Sequence, residues 1–185
     1  MLPARWRSSR AHASGIGDPL NGVTSVREPL ACSEAERREF ARLVCEGFDP
    51  VPETLDGRIA DAKWLAFHYV AGGALAAIAA IKAPSEEYRQ NVFEKADARV
   101  NAGGYRLELG WVFVTPEHRG HYVARRLCRL LLEHVPTSCL FATTRPNNRP
   151  MINILHGLGF ARVGKPYSRR NEELVVFLRP ASSTK

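Results

Sequence analysis

The chain has no apolar run long enough to cross a bilayer. The longest, YVAGGALAAIAAI, covers 13 residues and is broken by two glycines, whereas a spanning helix needs about 20. Cysteine is scarce. Cys32, Cys45, Cys128 and Cys139 show neither metal-ligand spacing nor close pairing, which argues against a zinc site and a disulfide framework. Three of the four sit in apolar or helical contexts and read as reduced, buried thiols of a cytoplasmic protein. Internal repeats and low-complexity segments are absent, so solenoids and fibrous arrays are set aside. Aspartate is missing from residues 114–185, which hold 12 Lys and Arg against 4 Glu. That half carries all of the net charge of +7, as suits a polyanionic partner: nucleic acid or a phosphate-rich cofactor.

The length of 185 residues, with 45% hydrophobic and 24% charged, fits one soluble domain with a substantial core. The first 20 residues are rich in Arg and Ser and lack the apolar segment of a secretory signal. They share the composition of an organelle transit segment but read more simply as a flexible basic tail, 1–20, ahead of a single domain at 21–181.

Periodicity supplies the elements. GVTSVRE opens as a short strand, and Ser33 with Glu36 forms a capping box before a helix with Phe40, Leu43, Val44 and Phe48 on one stripe. ETLDGRIADA reads as a weaker helix. KWLAFHYV and ALAAIAAIKA flank Gly72-Gly73 as a hairpin. SEEYRQNVFEKA reads as a surface helix and YRLELGWVFVT as a long buried strand. Residues 120–134 form a helix stopped by Pro136, and SCLFATT is a strand. Asn147 or Asn148 caps a short helix that Gly157 and Gly159 close. FARVGK and ELVVFLR end the chain as a hairpin with PYSRRNE as its loop. Strands with single interposed helices predict a mixed sheet covered on both faces.

Two places could carry chemistry. In the long strand, strict alternation puts Leu107, Leu109, Trp111 and Phe113 on one face and Glu108, Gly110, Val112 and Val114 on the other. A carboxylate in an apolar strand needs a partner, a hydrated cleft or a task. The gap left by Gly110 suits a general base, and a structural pair with Arg106 or Arg162 is the alternative. The second place is the turn RGHYVAR. It opens a helix directly after a strand, where free amides and the helix dipole favour an anion. Gly120 lets a phosphate approach, and Arg119 and Arg125 flank the site. Arg125, Arg126 and Arg129 also raise nucleic-acid binding, but no recognised nucleic-acid motif accompanies them.

The segment VFVTPEHRGHYVARRL, followed by LFATTRPNNRPMINILHGLGF, resembles the acetyl-CoA-dependent N-acetyltransferase superfamily known as GNAT. Val114, Pro116, Arg119 and Ala124 match its cofactor motif, and Asn148, Gly159 and Phe160 match its later motif in register. The resemblance implies an α+β fold: a mixed, mostly antiparallel central sheet with splayed middle strands and helices on both faces. It implies acetyl-CoA as acetyl donor, its arm along the backbone of Val112, Phe113 and Val114 and contacted by Asn148. The pyrophosphate would lie on Arg119, Gly120, His121, Tyr122, Val123, Ala124 and Arg125. Glu108 falls in the strand that often carries the family's base. Two departures stand out. Tyr122 replaces a glycine, and Leu155 replaces the tyrosine that protonates the departing thiolate, leaving Tyr167 as the substitute. The implied activity is direct transfer to a primary amine, of a small molecule or a protein, by a monomer or homodimer. A non-catalytic CoA-binding sensor is the alternative from another class. The acidic-leaning stretch EGFDPVPETLD suggests attraction of a cationic amine.

Overall fold

A computed structural model of the chain describes residues 22–48 and 54–181. The basic segment 1–20 and all of DPVPE (49–53) lie outside the described residues.

Seven strands form one sheet: β1 (Val23–Arg27), β2 (Trp64–Tyr69), β3 (Leu75–Lys82), β4 (Leu107–Val114), β5 (Leu140–Thr144), β6 (Ala161–Arg169) and β7 (Glu172–Arg179). The order is β1-β2-β3-β4-β5-β7-β6. Every neighbouring pair is antiparallel except β4 and β5. Helices α1 (Glu34–Gly47), α2 (Leu55–Ala60) and α3 (Glu86–Lys95) cover one face; α4 (Val123–Glu133) and α5 (Arg149–Gly157) cover the other. This is the expected α+β sheet sandwiched between helices.

Local chemistry sets the boundaries. Ser33 Oγ accepts from the Glu36 amide at 3.2 Å while Glu36 Oε2 accepts from the Ser33 amide at 2.8 Å, the reciprocal box that starts α1. Gly72 and Gly73 adopt φ of 93° and 82° to turn β2 into β3. On α4, Val123, Leu127, Cys128, Leu131 and Leu132 are buried, and each such aliphatic contributes roughly 1.5–3 kcal/mol. Asn148 caps α5, its Oδ1 accepting from the Met151 amide at 3.2 Å.

Four expectations are corrected. Alternation along β4 does not hold, because β4 advances from Gly110 to Phe113 while β3 moves only between Ile78 and Ala80. This β-bulge, with Trp111 at φ 49°, switches the faces. Leu107, Leu109, Val112 and Val114 therefore pack beneath α4, whereas Trp111 and Phe113 join the α1 side. The PYSRRNE segment is not a loop. β6 runs through Tyr167 to Arg169, and only Arg170 and Asn171 turn the chain. Pro166 is tolerated because β6 is an edge strand whose missing N–H costs no ladder bond. Phe48 caps the end of α1 and stays 38% exposed instead of completing the buried stripe. Cys45, on the outer side of α1, is exposed, so the thiols are not uniformly buried.

Candidate active site

β4 and β5 pair only at Leu107–Leu140 and Glu108–Phe141. Beyond Glu108 they part, and the edge of β4 from Leu109 to Val114 faces a cleft of about 1150 Å³ with Thr143 and Thr144 opposite. The bulge is the physical reason: an extra residue bends one strand away from its neighbour. Unpaired main-chain groups thus line a cavity where a sheet would normally consume them.

At the outer end of that edge a 3-10 turn, Pro116–His118, leads through Gly120 (φ 85°) and Tyr122 (φ 59°) into α4. Among the described residues, the amides from Gly120 to Arg125 donate to no main-chain carbonyl; the first to do so is Arg126, to Tyr122 at 3.0 Å. Tyr122 is the N-cap, in a conformation that favours glycine; it borders the cleft and is 80% exposed. The bulky side chain is therefore turned to solvent and leaves the amides open. Arg119 donates from Nε to the Val114 carbonyl at 3.1 Å and lies over the Phe113 ring. Arg125 leans against Gly157 at the end of α5, where an added Cβ would meet its Nη2 at 3.3 Å. Val123, Ala124 and Asn148 also line the cleft, and His121 does not.

At the inner end, where the strands part, Glu108 is 2% exposed. Its partner is neither Arg106 nor Arg162 but Lys82, whose Nζ lies 2.8 Å from Oε2. Arg106 instead turns back to the Gly103 carbonyl. Thr143 Oγ1 donates to Oε1 at 3.3 Å. Gly110 provides the gap anticipated beside the carboxylate, and Lys82 fills it: a Cβ there would come within 2.5 Å of Lys82 Cε. The ammonium also lies 5.4 Å from the Trp111 ring centroid.

Two tyrosines surround Glu108. Tyr88, on α3, lines the cleft, and its hydroxyl accepts from Arg169 Nη1 at 3.2 Å. Tyr167 is 5% exposed, packs with Phe93 and Phe141, and stands behind the cleft wall with its hydroxyl buried and unbonded. Burial, then the nearby Glu108 charge, pushes both phenols above the ordinary range, so both stay protonated at neutral pH. Leu155 is fully buried among the aliphatics beneath α5 and is purely a packing residue.

Sequence reasoning missed Lys82, Tyr88, Thr143 and Arg169. Lys82 carried a signal, since it ends an otherwise apolar strand, but its register against Glu108 depends on the bulge. Among the described residues no cluster of side chains could hold a metal and no helix is long and apolar enough to span a membrane.

The cleft fits a long, anionic, thioester-bearing group: open amides at a helix start for the phosphates, and an unpaired strand edge leading to a carboxylate. The model of the acetyltransferase (GNAT) family matches residues 33–160. The chain belongs to that family. Among curated proteins no sequence matches it significantly. Several solved structures share the fold. An acyl-CoA N-acyltransferase from Pseudomonas aeruginosa is 12% identical, with TM-score 0.64 over 85% of this chain and 99% of that one. yncA from Salmonella typhimurium, solved with its cofactor acetyl-CoA, is 16% identical, with TM-score 0.59 over 89% and 96%. Arabidopsis thaliana NAA60, in complex with a bisubstrate analogue, is 10% identical, with TM-score 0.63 over 88% and 100%.

Proposed function

We propose that this protein is an N-acetyltransferase that passes an acetyl group from acetyl-CoA directly to a primary amine. The parting of β4 and β5 at Glu108 carries this reading. One strand edge then links an anion-binding helix start to a buried carboxylate. The cofactor, when bound, supplies an acetyl group activated as a thioester.

The chain's own residues do the rest. The open amides from Gly120 to Arg125 and the positive end of α4 hold phosphate oxygens. Arg119 supports the turn from the end of β4. The cleft-facing edge of β4 at Val112, Phe113 and Val114 runs alongside an extended arm, the Val114 carbonyl being held by Arg119, with Asn148 opposite. Main-chain donors fixed along such an edge stabilise developing negative charge without reorganising, the dominant contribution in many acyl transfers. Glu108 takes the proton from the acceptor amine, and Thr143 and Lys82 fix its carboxylate. Tyr88, rather than Tyr167, presents a protonated phenol on the wall beside it. Holding both reactants in one cleft supplies much of the remaining acceleration.

The test is a thermal melt with and without acetyl-CoA, followed by release of free thiol on adding a panel of amines. Stabilisation with amine-dependent thiol release is expected. Stabilisation without thiol release from any amine identifies the non-catalytic binder, and no stabilisation sinks the reading.

A further inference from the structure

The geometry points to an acceptor that carries its own carboxylate beside the amine: a free α-amino acid with an apolar side chain, held by Arg169. This rests on the acetyltransfer reading of the same cleft and adds the acceptor to it.

The β6–β7 turn lies beyond the Thr144–Val175 pair, where Arg169 and Arg170 line the cleft from the β5 side, and the Arg169 side chain reaches Tyr88 on the cleft wall. Arg170 and Asn171 have φ of 48° and 62°, a two-residue hairpin turn whose first position normally takes Asn, Asp or Gly. An arginine held there stores strain on the order of 1 kcal/mol. The acids on the wall are already matched: Glu108 by Lys82 and Glu172 by Arg145. Arg58 and Asp61, both near α2, offset one another in charge. Arg169 and Arg170 form no ion pair among the described residues. Among the described residues the acceptor end is therefore positive; Asp49 and Glu53 of the acidic-leaning EGFDPVPETLD lie outside them. Within that stretch, Glu46 is taken up by Arg42.

Arg169 is aimed. Its guanidinium stacks on Tyr88, 4.6 Å from the ring centroid, and spends one donor on the phenol oxygen. The remaining N–H groups form a planar fork matched to a carboxylate. Tyr88 and Glu108 line the same cleft, and the Tyr88 ring centroid lies 6.4 Å from that of Phe141, the strand partner of Glu108, so the phenol stands in the gap between fork and base. An α-amino acid, with nitrogen and carboxylate on one carbon and a hydrogen bond of about 2.9 Å at each end, bridges such a gap. A polyamine would instead bring extra cations against Lys82 and Arg169. Val44, Phe48 and Trp111 form an apolar wall for the side chain, which explains why Phe48 stays exposed.

Thiol release with acetyl-CoA is to be measured for free apolar amino acids, their carboxamides, and putrescine. The acids should exceed their amides by about ten- to a hundredfold in kcat/KM, the range for a hydrogen-bonded charged group. Arg169→Ala should erase that preference by lowering turnover of the acids about ten- to a hundredfold more than that of their amides, while the KM for acetyl-CoA holds. Arg169→Lys should restore part of it. Amides or putrescine equalling the acids overturns the inference, as does acetyl-CoA binding with no turnover of any acid. Failure to bind acetyl-CoA, or no thiol release from any amine at all, would instead sink the underlying acetyltransfer reading, whereas turnover of other amines without the acids sinks only this inference.

Discussion

Glu108→Gln keeps the shape of the side chain and removes its charge, which separates two effects. The first is chemical. A positioned general base contributes about 10²- to 10⁴-fold, so kcat/KM for the acceptor should fall by that factor. Affinity for acetyl-CoA should hold, because the anion-binding turn lies at the other end of β4. The second effect is on stability. Lys82 loses its counter-charge, and breaking a fully buried pair costs about 3–5 kcal/mol. Here the lysine side chain keeps 20% of its surface exposed and rests near the Trp111 ring. A cost of about 1–3 kcal/mol is the better figure. At about 2–4 °C per kcal/mol for a domain of this size, Tm should drop by about 2–12 °C. Adding Lys82→Met should recover most of the stability, since no unpaired ion remains, and none of the turnover. Thiol-release kinetics and calorimetric melts on the two variants read both effects. A fully active Glu108→Gln protein refutes the base. Recovery of activity together with stability in the double variant would show that Glu108 serves only the ion pair.

Tyr122→Gly relieves a left-handed N-cap, so the fold should gain up to about 1 kcal/mol while acetyl-CoA affinity is kept. A tenfold loss of affinity, by calorimetry, would place the phenol on the cofactor. Gly110→Ala should displace the tip of Lys82, where an added Cβ comes within 2.5 Å of Cε, and so weaken its pairing with buried Glu108 and lower both turnover and Tm. Unaltered kinetics would remove Lys82 from the site's architecture. Tyr88 and Tyr167 have folded-state phenol pKa values raised above the ordinary value of 10.0. Their contribution to stability is complete below that pH and is lost as pH rises through the folded-state values. Urea melts at pH 9 and pH 11 should show a lower midpoint at the higher pH; a midpoint that rises would contradict the burial of both phenols.

Much of this molecule is legible from local pattern. The Ser33–Glu36 box, the Gly72-Gly73 hairpin, the stripe on α4 and the Asn148 cap each depend on residues a few positions apart. Such rules act within one or two turns of chain, so a sequence displays them directly. The glycine-bearing turn after β4, and the suspicion attached to a carboxylate in an apolar strand, were visible for the same reason.

What lay beyond local pattern depended on register and on packing between distant segments. A single extra residue in β4 re-aimed Trp111 and Phe113 and parted β4 from β5, and strict alternation gives no warning of it. Lys82 reaches Glu108 only through the pairing of two antiparallel strands, and Arg169 reaches Tyr88 across 81 positions. Sequence alone determined the element order and the family, because these follow from periodicity and short motifs. The tertiary structure decided which charges face one another in the cleft, because side chains brought together from separate strands owe their contact to the fold and not to their spacing.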